Sequence, residues 1–325
     1  MKAWSHRRYG PPEVLEQVEL PMPVPAADEI RVRIRATTVS SADWRLRSLT
    51  FPPGFGPLGR LALGVRGPRR PILGSELSGE VEAVGRAVSR FKPGDAVFAF
   101  TGIGLGCHAE YRCIAERGPV AHKPQRLDWA QAAALGFGGA TMLDFYRRGA
   151  LRAGERVLVN GASGAVGTAA VQLARHLGAQ VTAVCSAANL ELVRAIGAHA
   201  AIDYAREDFA RTGATWDLIV DTVGNAPYPR SRPALAEGGR LLLVLAGLTE
   251  LLKAPWVGLA GRHKVIAGPA AERAEYIARL AELAAAGAFT PVIDRSYAFA
   301  DLREAHRYVD SGRKRGNVVV RMDGV

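Results

Sequence analysis

The sequence predicts an α/β chain in two parts, a mostly β region at the N-terminus and a doubly wound parallel sheet in the middle. Three observations predict it. From Arg156 to Gly178 an apolar run of strand length enters a turn with glycines at 161, 164 and 167, and a helical repeat of apolar residues leaves it. From 180 to 245 strand-like and helical patterns alternate, the rhythm of parallel strands joined by right-handed crossovers. Before residue 124, short alternating or apolar runs separated by Pro and Gly read as an antiparallel barrel or sandwich.

Taken in order, the N-terminal runs fall at 29–36, 79–84, 96–100 and 109–114. The stretch 49–71 is rich in Gly, Pro and Arg without a period, which reads as a long surface loop. The pattern turns helical at 129–135 and again up to Arg148, leading into the glycine turn. Strands follow at 157–159, 180–184, 200–202, 216–221, 239–245 and 263–267, and 248–262 reads as a loop. Two later helical stretches, 272–286 and 301–311, bracket an extended segment at 291–299, and a last strand covers 317–322. These late elements lack the parallel rhythm and are expected to rejoin the first part. The expected domains are therefore 1–124 with 268–325, and 125–267, with a substrate cleft between them.

Composition narrows the function. The 325 residues suffice for two cores, and 48% hydrophobic with 22% charged residues is ordinary for a soluble globular protein. No window reaches the roughly 18 uncharged apolar residues of a membrane helix. The formal charge of +11 comes mostly from Arg spread along the chain, which argues against a dedicated nucleic-acid surface while favouring an anionic dinucleotide. Cys107, Cys113 and Cys185 form no CxxC pair, and Met1 runs directly into strand-like sequence without an apolar signal core. The expected location is the reducing cytoplasm.

Strand, glycine turn and helix in that order suit a dinucleotide. Gly161 permits the tight turn, Gly164 lets the backbone approach a pyrophosphate, and Gly167 lets the helix pack on the strand, while the helix N-terminus attracts the phosphates. Sites that prefer NAD place an acid at the end of the second strand; here that strand ends Ala183-Val184-Cys185-Ser186. Without a carboxylate to repel a 2′-phosphate, NADPH is favoured, with Ser186, Asn189 and Tyr204 as hydrogen-bond donors and Arg194 as the nearest cation in sequence. Ser186 and Asn189 would equally serve as N-caps of the segment that follows.

The landmarks together resemble the medium-chain dehydrogenase/reductase superfamily, in its zinc-independent, quinone-oxidoreductase-like branch. They include Tyr9-Gly-Pro-Pro-Glu-Val-Leu15, Val39-Ser-Ser-Ala-Asp43, Ile72-Leu-Gly-Ser-Glu76, Phe91-Lys-Pro-Gly-Asp95, the glycine turn, Asp221-Thr-Val-Gly224 and Gly316-Asn-Val-Val319, spread over essentially the whole chain. The resemblance implies a GroES-like β-barrel catalytic domain, a Rossmann domain and homodimers formed through the latter. Zinc-containing relatives carry Cys and His at the positions of Ser40 and Ser75, so no metal is expected.

By the same resemblance, Ser40, Asp43 and Trp44 line the substrate side, with Cys107 facing the nicotinamide pocket. Ser163, Gly164, Ala165 and Val166 meet the pyrophosphate; Thr222, Val223, Leu245, Ala246 and Gly247 border the nicotinamide ribose; and Asn317 closes over the cofactor or serves a turn. Without a Lewis acid, hydride transfer works best on acceptors that are already electrophilic. The expected activity is NADPH-dependent reduction of a small-molecule quinone or α,β-unsaturated carbonyl. The alternatives are a metal-free alcohol, ketone or enoyl-thioester reductase, and a non-catalytic NADPH-binding redox sensor.

Overall fold

The computed structural model describes residues 1–259 and 261–322. The chain forms two compact units. One contains Met1–Phe51, Gly56–Phe137 and a last segment beginning at Glu272; the other contains Pro52–Phe55 and Gly138–Ala271.

The first unit is built on the strand Glu29–Val39. Ile30, Val32, Ile34 and Ala36 are buried while Arg31, Arg33 and Arg35 alternate with them on the other face, the period of a half-buried strand. Those outward arginines pair across the ladder with Glu80 and Glu82 of the antiparallel strand Glu76–Val84. The other edge of Glu29–Val39 is shared: Tyr111–Ala115 pairs with its first half and Asn317–Arg321 with its second. Ile293–Ala298 adds parallel to Asn317–Arg321, while Ala96–Phe100 and Val120–His122 extend the sheet beyond Glu76–Val84. The late strands thus complete the sheet begun by the early ones.

A buried cation ties this unit together. The Arg47 side chain is fully buried; its guanidinium donates to Gly10 O and the Asp310 carboxylate and lies 3.1 Å from His306 Nδ1. The His306 ring in turn meets His108 edge-on, with centroids 5.3 Å apart. One side chain therefore joins the N-terminal segment, the helix Ser41–Ser48 and the helix Leu302–Asp310.

The unit continues to Phe137, whereas the sequence pattern suggested a break near 124. The cause is packing: the helix Trp129–Ala133 sets Ala130 and Ala133 against Ala36 and Val319, and Phe137 N–H donates to Glu76 Oε1 at 2.6 Å.

The second unit is a six-stranded parallel sheet. Numbered in chain order, its strands Arg156–Asn160, Gln180–Cys185, Ala200–Asp203, Trp216–Asp221, Leu235–Leu243 and Lys264–Ile266 lie in the order 3-2-1-4-5-6. That order reverses beside the first strand, where a doubly wound sheet opens its ligand crevice. The helix Ala165–His176 buries Ala169, Ala170, Val171, Leu173 and Ala174, the apolar stripe expected of a crossover helix.

Two segments read as loops are helical. Leu248–Leu259 forms a helix with Pro255 inside it, and that proline hid the apolar period. Gly56–Leu63 forms a helix that buries none of its residues, so it has no buried stripe for the sequence to advertise.

Candidate functional site

The glycine turn gives each glycine a different need. Gly161 sits at φ +80°, and a Cβ there would overlap the side chains of Val223 and Thr222. A Cβ on Gly167 would overlap Gly161 O and the Ala162 backbone, so the helix approaches the turn only because position 167 is bare. Gly164 differs, since a Cβ there would meet only Gly161 O, at 3.7 Å. It caps the helix Ala165–His176, and no side chain occupies the cap. Bare backbone, open space and an uncapped helix N-terminus are what a pyrophosphate fits.

Beside the turn, the residues after the second strand form a polar group. Asn189 Nδ2 donates to Ser163 Oγ at 3.0 Å and to Ser186 Oγ at 3.2 Å. Neither Ser186 nor Asn189 makes a capping side-chain bond to the helices that follow, and Asn189 Oδ1 is buried without a partner. An orphaned acceptor in such a cluster calls for a ligand or a water. Tyr204 is 63% exposed, held by its N–H to Cys185 O at 3.1 Å. Asp203, opposite Cys185 on the adjoining strand, accepts Ala205 N–H and lies 3.8 Å from the exposed Arg206 guanidinium. Arg206 was not singled out from sequence; its mark there is only its place after the third strand.

On the other side of the turn, the sequence reading missed the residue that builds the wall. The fully buried Asp221 carboxylate accepts Asn160 Nδ2 and the N–H groups of Val223, Gly224 and Ala226, at 2.9–3.1 Å. Thr222 Oγ1 donates to Asn160 O at 2.9 Å, so Thr222 and Val223 stand directly over the first strand. The Leu245–Gly247 turn adjoins them, because the site of a Cβ on Gly224 is 3.1 Å from Leu245 Cδ2. Four acceptor contacts on one carboxylate rigidify this loop.

In the first unit, Ser40 and Asp43 form a capping box on the helix Ser41–Ser48. Ser40 N–H and Oγ both donate to Asp43 Oδ2 at 2.8 Å, and Asp43 Oδ1 accepts Gly74 N–H at 2.9 Å. Both side chains are buried and spoken for. Trp44 is half-buried, packed on the barrel core with the Arg45 guanidinium 4.9 Å from its ring. Cys107 lies in the core with Thr101 Oγ1 3.4 Å from its sulfur, and burial pushes its thiol up to about 12, so it presents no thiolate. Asn317 spends its amide on Val292 O, at 3.0 Å.

Two neighbours of these residues carry signals absent from the sequence reading. Glu76 is fully buried between Thr38 Oγ1 and Phe137 N–H, each 2.6 Å from its carboxylate, and burial raises it to about 7. Ser75 Oγ is buried without a partner. Among the described residues, no three of His, Cys, Asp or Glu come together to hold a metal ion, and none of the helices is long and apolar enough to cross a membrane.

Comparison with known proteins adds to the geometry. Residues 26–125 match the alcohol dehydrogenase GroES-like domain and residues 196–320 match a zinc-binding dehydrogenase domain. A mitochondrial NAD(P)H oxidoreductase of Mus musculus is 32% identical over 98% of this chain and 89% of its own. A quinone oxidoreductase of Pseudomonas aeruginosa is 37% identical over 72% of this chain and 70% of its own. The solved structure of a quinone oxidoreductase from Coxiella burnetii superposes with a TM-score of 0.86 at 26% identity, covering 99% of both chains.

Proposed function

The chain belongs to the quinone-oxidoreductase-like branch of the medium-chain dehydrogenase/reductase superfamily and is an oxidoreductase using a nicotinamide cofactor, and on that premise we propose that it takes NADPH and, without zinc, reduces quinones or α,β-unsaturated carbonyls. The observation that carries this reading is the chemistry at the two positions where zinc relatives ligate. Ser40 is committed to a helix cap and Ser75 presents a neutral hydroxyl; neither replaces a thiolate or an imidazole.

The cofactor supplies the hydride when bound; this chain's residues hold and orient it. Gly164, Ala165 and Val166 offer backbone N–H groups to the pyrophosphate, beside Ser163. Ser186, Asn189 and Tyr204 surround the adenosine 2′-position, with Arg206 as the cation and no carboxylate at the end of the second strand. Thr222, Val223 and the Leu245–Gly247 turn, held by Asp221, border the nicotinamide side. Trp44 stacks on a flat acceptor. Ser75 Oγ donates to the acceptor oxygen, which gains charge as the hydride arrives. Ser40 and Asp43 act by fixing the helix that carries Trp44.

The same reading includes a homodimer. Lys264–Ile266 is an edge strand paired on one side, and the helix before it exposes Leu252, Trp256 and Leu259, spaced to share one face. A second copy covers that face. Three free thiols suit the reducing cytoplasm.

The test is NADPH oxidation by purified protein against an ortho-quinone, an enal and a saturated ketone, with NADH and a chelator as controls. Turnover of quinone or enal that prefers NADPH and ignores the chelator supports the proposal. Chelator-sensitive ketone reduction sinks its metal-free part, and silence across the panel despite cofactor binding sinks the activity. Sedimentation of Trp256→Glu as a monomer, beside a dimeric parent, checks the assembly.

A further inference from the structure

Outside this site, the first unit holds a cavity of about 550 Å³ lined by Asp294, Arg295, Tyr308, Ser311, Arg313 and Arg315. We infer that this cavity binds a small phosphate-bearing molecule through its three guanidinium groups.

The charge pattern is the first reason. Three arginines face one carboxylate, leaving a formal charge of +2 at the cavity wall, the complement of a phosphate monoester dianion. The one acid is already engaged: Asp294 Oδ2 accepts Tyr308 OH at 2.7 Å and Arg315 N–H at 2.8 Å. Among the described residues, neither the Arg313 nor the Arg315 guanidinium has an acceptor against it. Arg47, Arg240 and Arg307 are each paired with a carboxylate, whereas Arg313 and Arg315 line the cavity without such a pair among the described residues.

Local geometry is the second reason. Along Arg313-Lys314-Arg315 the flanking side chains are exposed, whereas the Lys314 ammonium turns inward to Gly316 O at 2.9 Å. Gly316 ends the run at φ +71°, where a Cβ would overlap Val292 O, so the segment is pinned. Arg295, in the same cavity wall, has its guanidinium 4.1 Å from the centre of the Tyr308 ring, a contact that restrains its side chain. One held guanidinium beside two unpaired ones gives a tetrahedral anion several planar N–H forks to accept from, which lysine ammonium groups do not offer.

The probe is inorganic pyrophosphate, titrated calorimetrically at constant ionic strength into protein saturated with NADPH, so that the glycine turn is filled. The expected result is one binding event that Arg313→Ser/Arg315→Ser weakens by about tenfold or more, since charge-assisted bonds to phosphate are lost. An Arg66→Ser/Arg86→Ser control removes two exposed charges elsewhere and leaves the binding unchanged. Absence of heat, abolition by NADPH, equal loss in the control, or equal binding of sulfate each overturns the inference, as does binding of a short RNA without binding of pyrophosphate. Thermal melting of both double variants close to the parent shows that the comparison concerns binding.

Discussion

Asn189 donates to Ser163 across 26 positions of sequence, joining the glycine turn to the end of the second strand at 3.0 Å. In the proposed cofactor site, that contact would set a neutral amide beside the 2′-phosphate, where a carboxylate would repel it. Asn189→Asp is therefore expected to lower kcat/KM for NADPH by tenfold or more, about 1.4 kcal/mol, and to lower it less for NADH. The ratio of the two specificity constants checks this, and an unchanged ratio would remove Asn189 from cofactor discrimination.

Gly164 and Gly161 separate binding from folding. A Cβ at 164 meets open space, so Gly164→Val is expected to keep its melting behaviour while losing at least about tenfold in cofactor affinity, because its side chain fills the room for the pyrophosphate. Gly161→Val combines a positive φ with steric overlap and is expected to destabilise by about 1–3 kcal/mol. Chemical denaturation beside cofactor fluorescence titration distinguishes the two effects.

Asp221→Ala leaves three loop N–H groups without their acceptor and the Asn160 amide with only Asn225 Oδ1. The expected loss is about 3 kcal/mol, read from urea denaturation, as for other buried acceptors with several donors.

How much of this was legible beforehand differs between the two units. The second unit announced itself, because alternating strand and helix periods and three glycines are local signals; all six strands are where the pattern put them, with shifted ends. Asp221 stands in a recognisable motif, yet its role depends on N–H groups brought to it by a loop, which no periodicity encodes. In the first unit most strands were legible, but Leu15–Glu19 and Val120–His122 were not, and neither was the pairing, because the sharing of one edge of Glu29–Val39 by Tyr111–Ala115 and Asn317–Arg321 joins residues far apart in sequence. Trp129–Ala133 was read as a helix, but its membership of the first unit rests on small residues meeting Ala36 and Val319. The resemblance alone puts Cys107 at the nicotinamide pocket, and only its burial shows the thiol to be inert.

Glu76 gives stability an unusual slope at mildly acid pH. Its carboxyl ordinarily titrates near 4.5 and is raised to about 7 in the fold, so ionising it opposes the folded state. The associated stability is fully present below about 4.5 and is lost as pH rises through 7, by an amount on the order of 3 kcal/mol. Glu76→Gln cannot ionise and lacks this fall. Urea midpoints of both proteins at pH 5 and pH 8 check the difference, and parallel shifts would contradict it.

The histidines act in the opposite sense. Burial lowers His306 well below its ordinary 6.5, helped by His108, Arg47 and His6; His6 and His108 are also lowered mainly by burial, while Asp43 opposes the shift at His108. Their neutral forms support the fold above pH 6.5, and that support disappears as pH falls through their depressed values. His306→Asn is expected to flatten the acid arm of the stability profile, measured by thermal melting between pH 4 and pH 7.

The burial of the cysteines bears on survival during turnover. Quinones and enals arylate or alkylate thiolates, and an enzyme that concentrates them is its own nearest target. Cys107 is raised to about 12 and Cys185 to about 11 by burial, and the half-buried Cys113 is raised as well. At neutral pH these sulfurs are overwhelmingly protonated and two of them are shielded from solvent, so under the proposed activity an electrophilic acceptor would meet almost no thiolate on the chain.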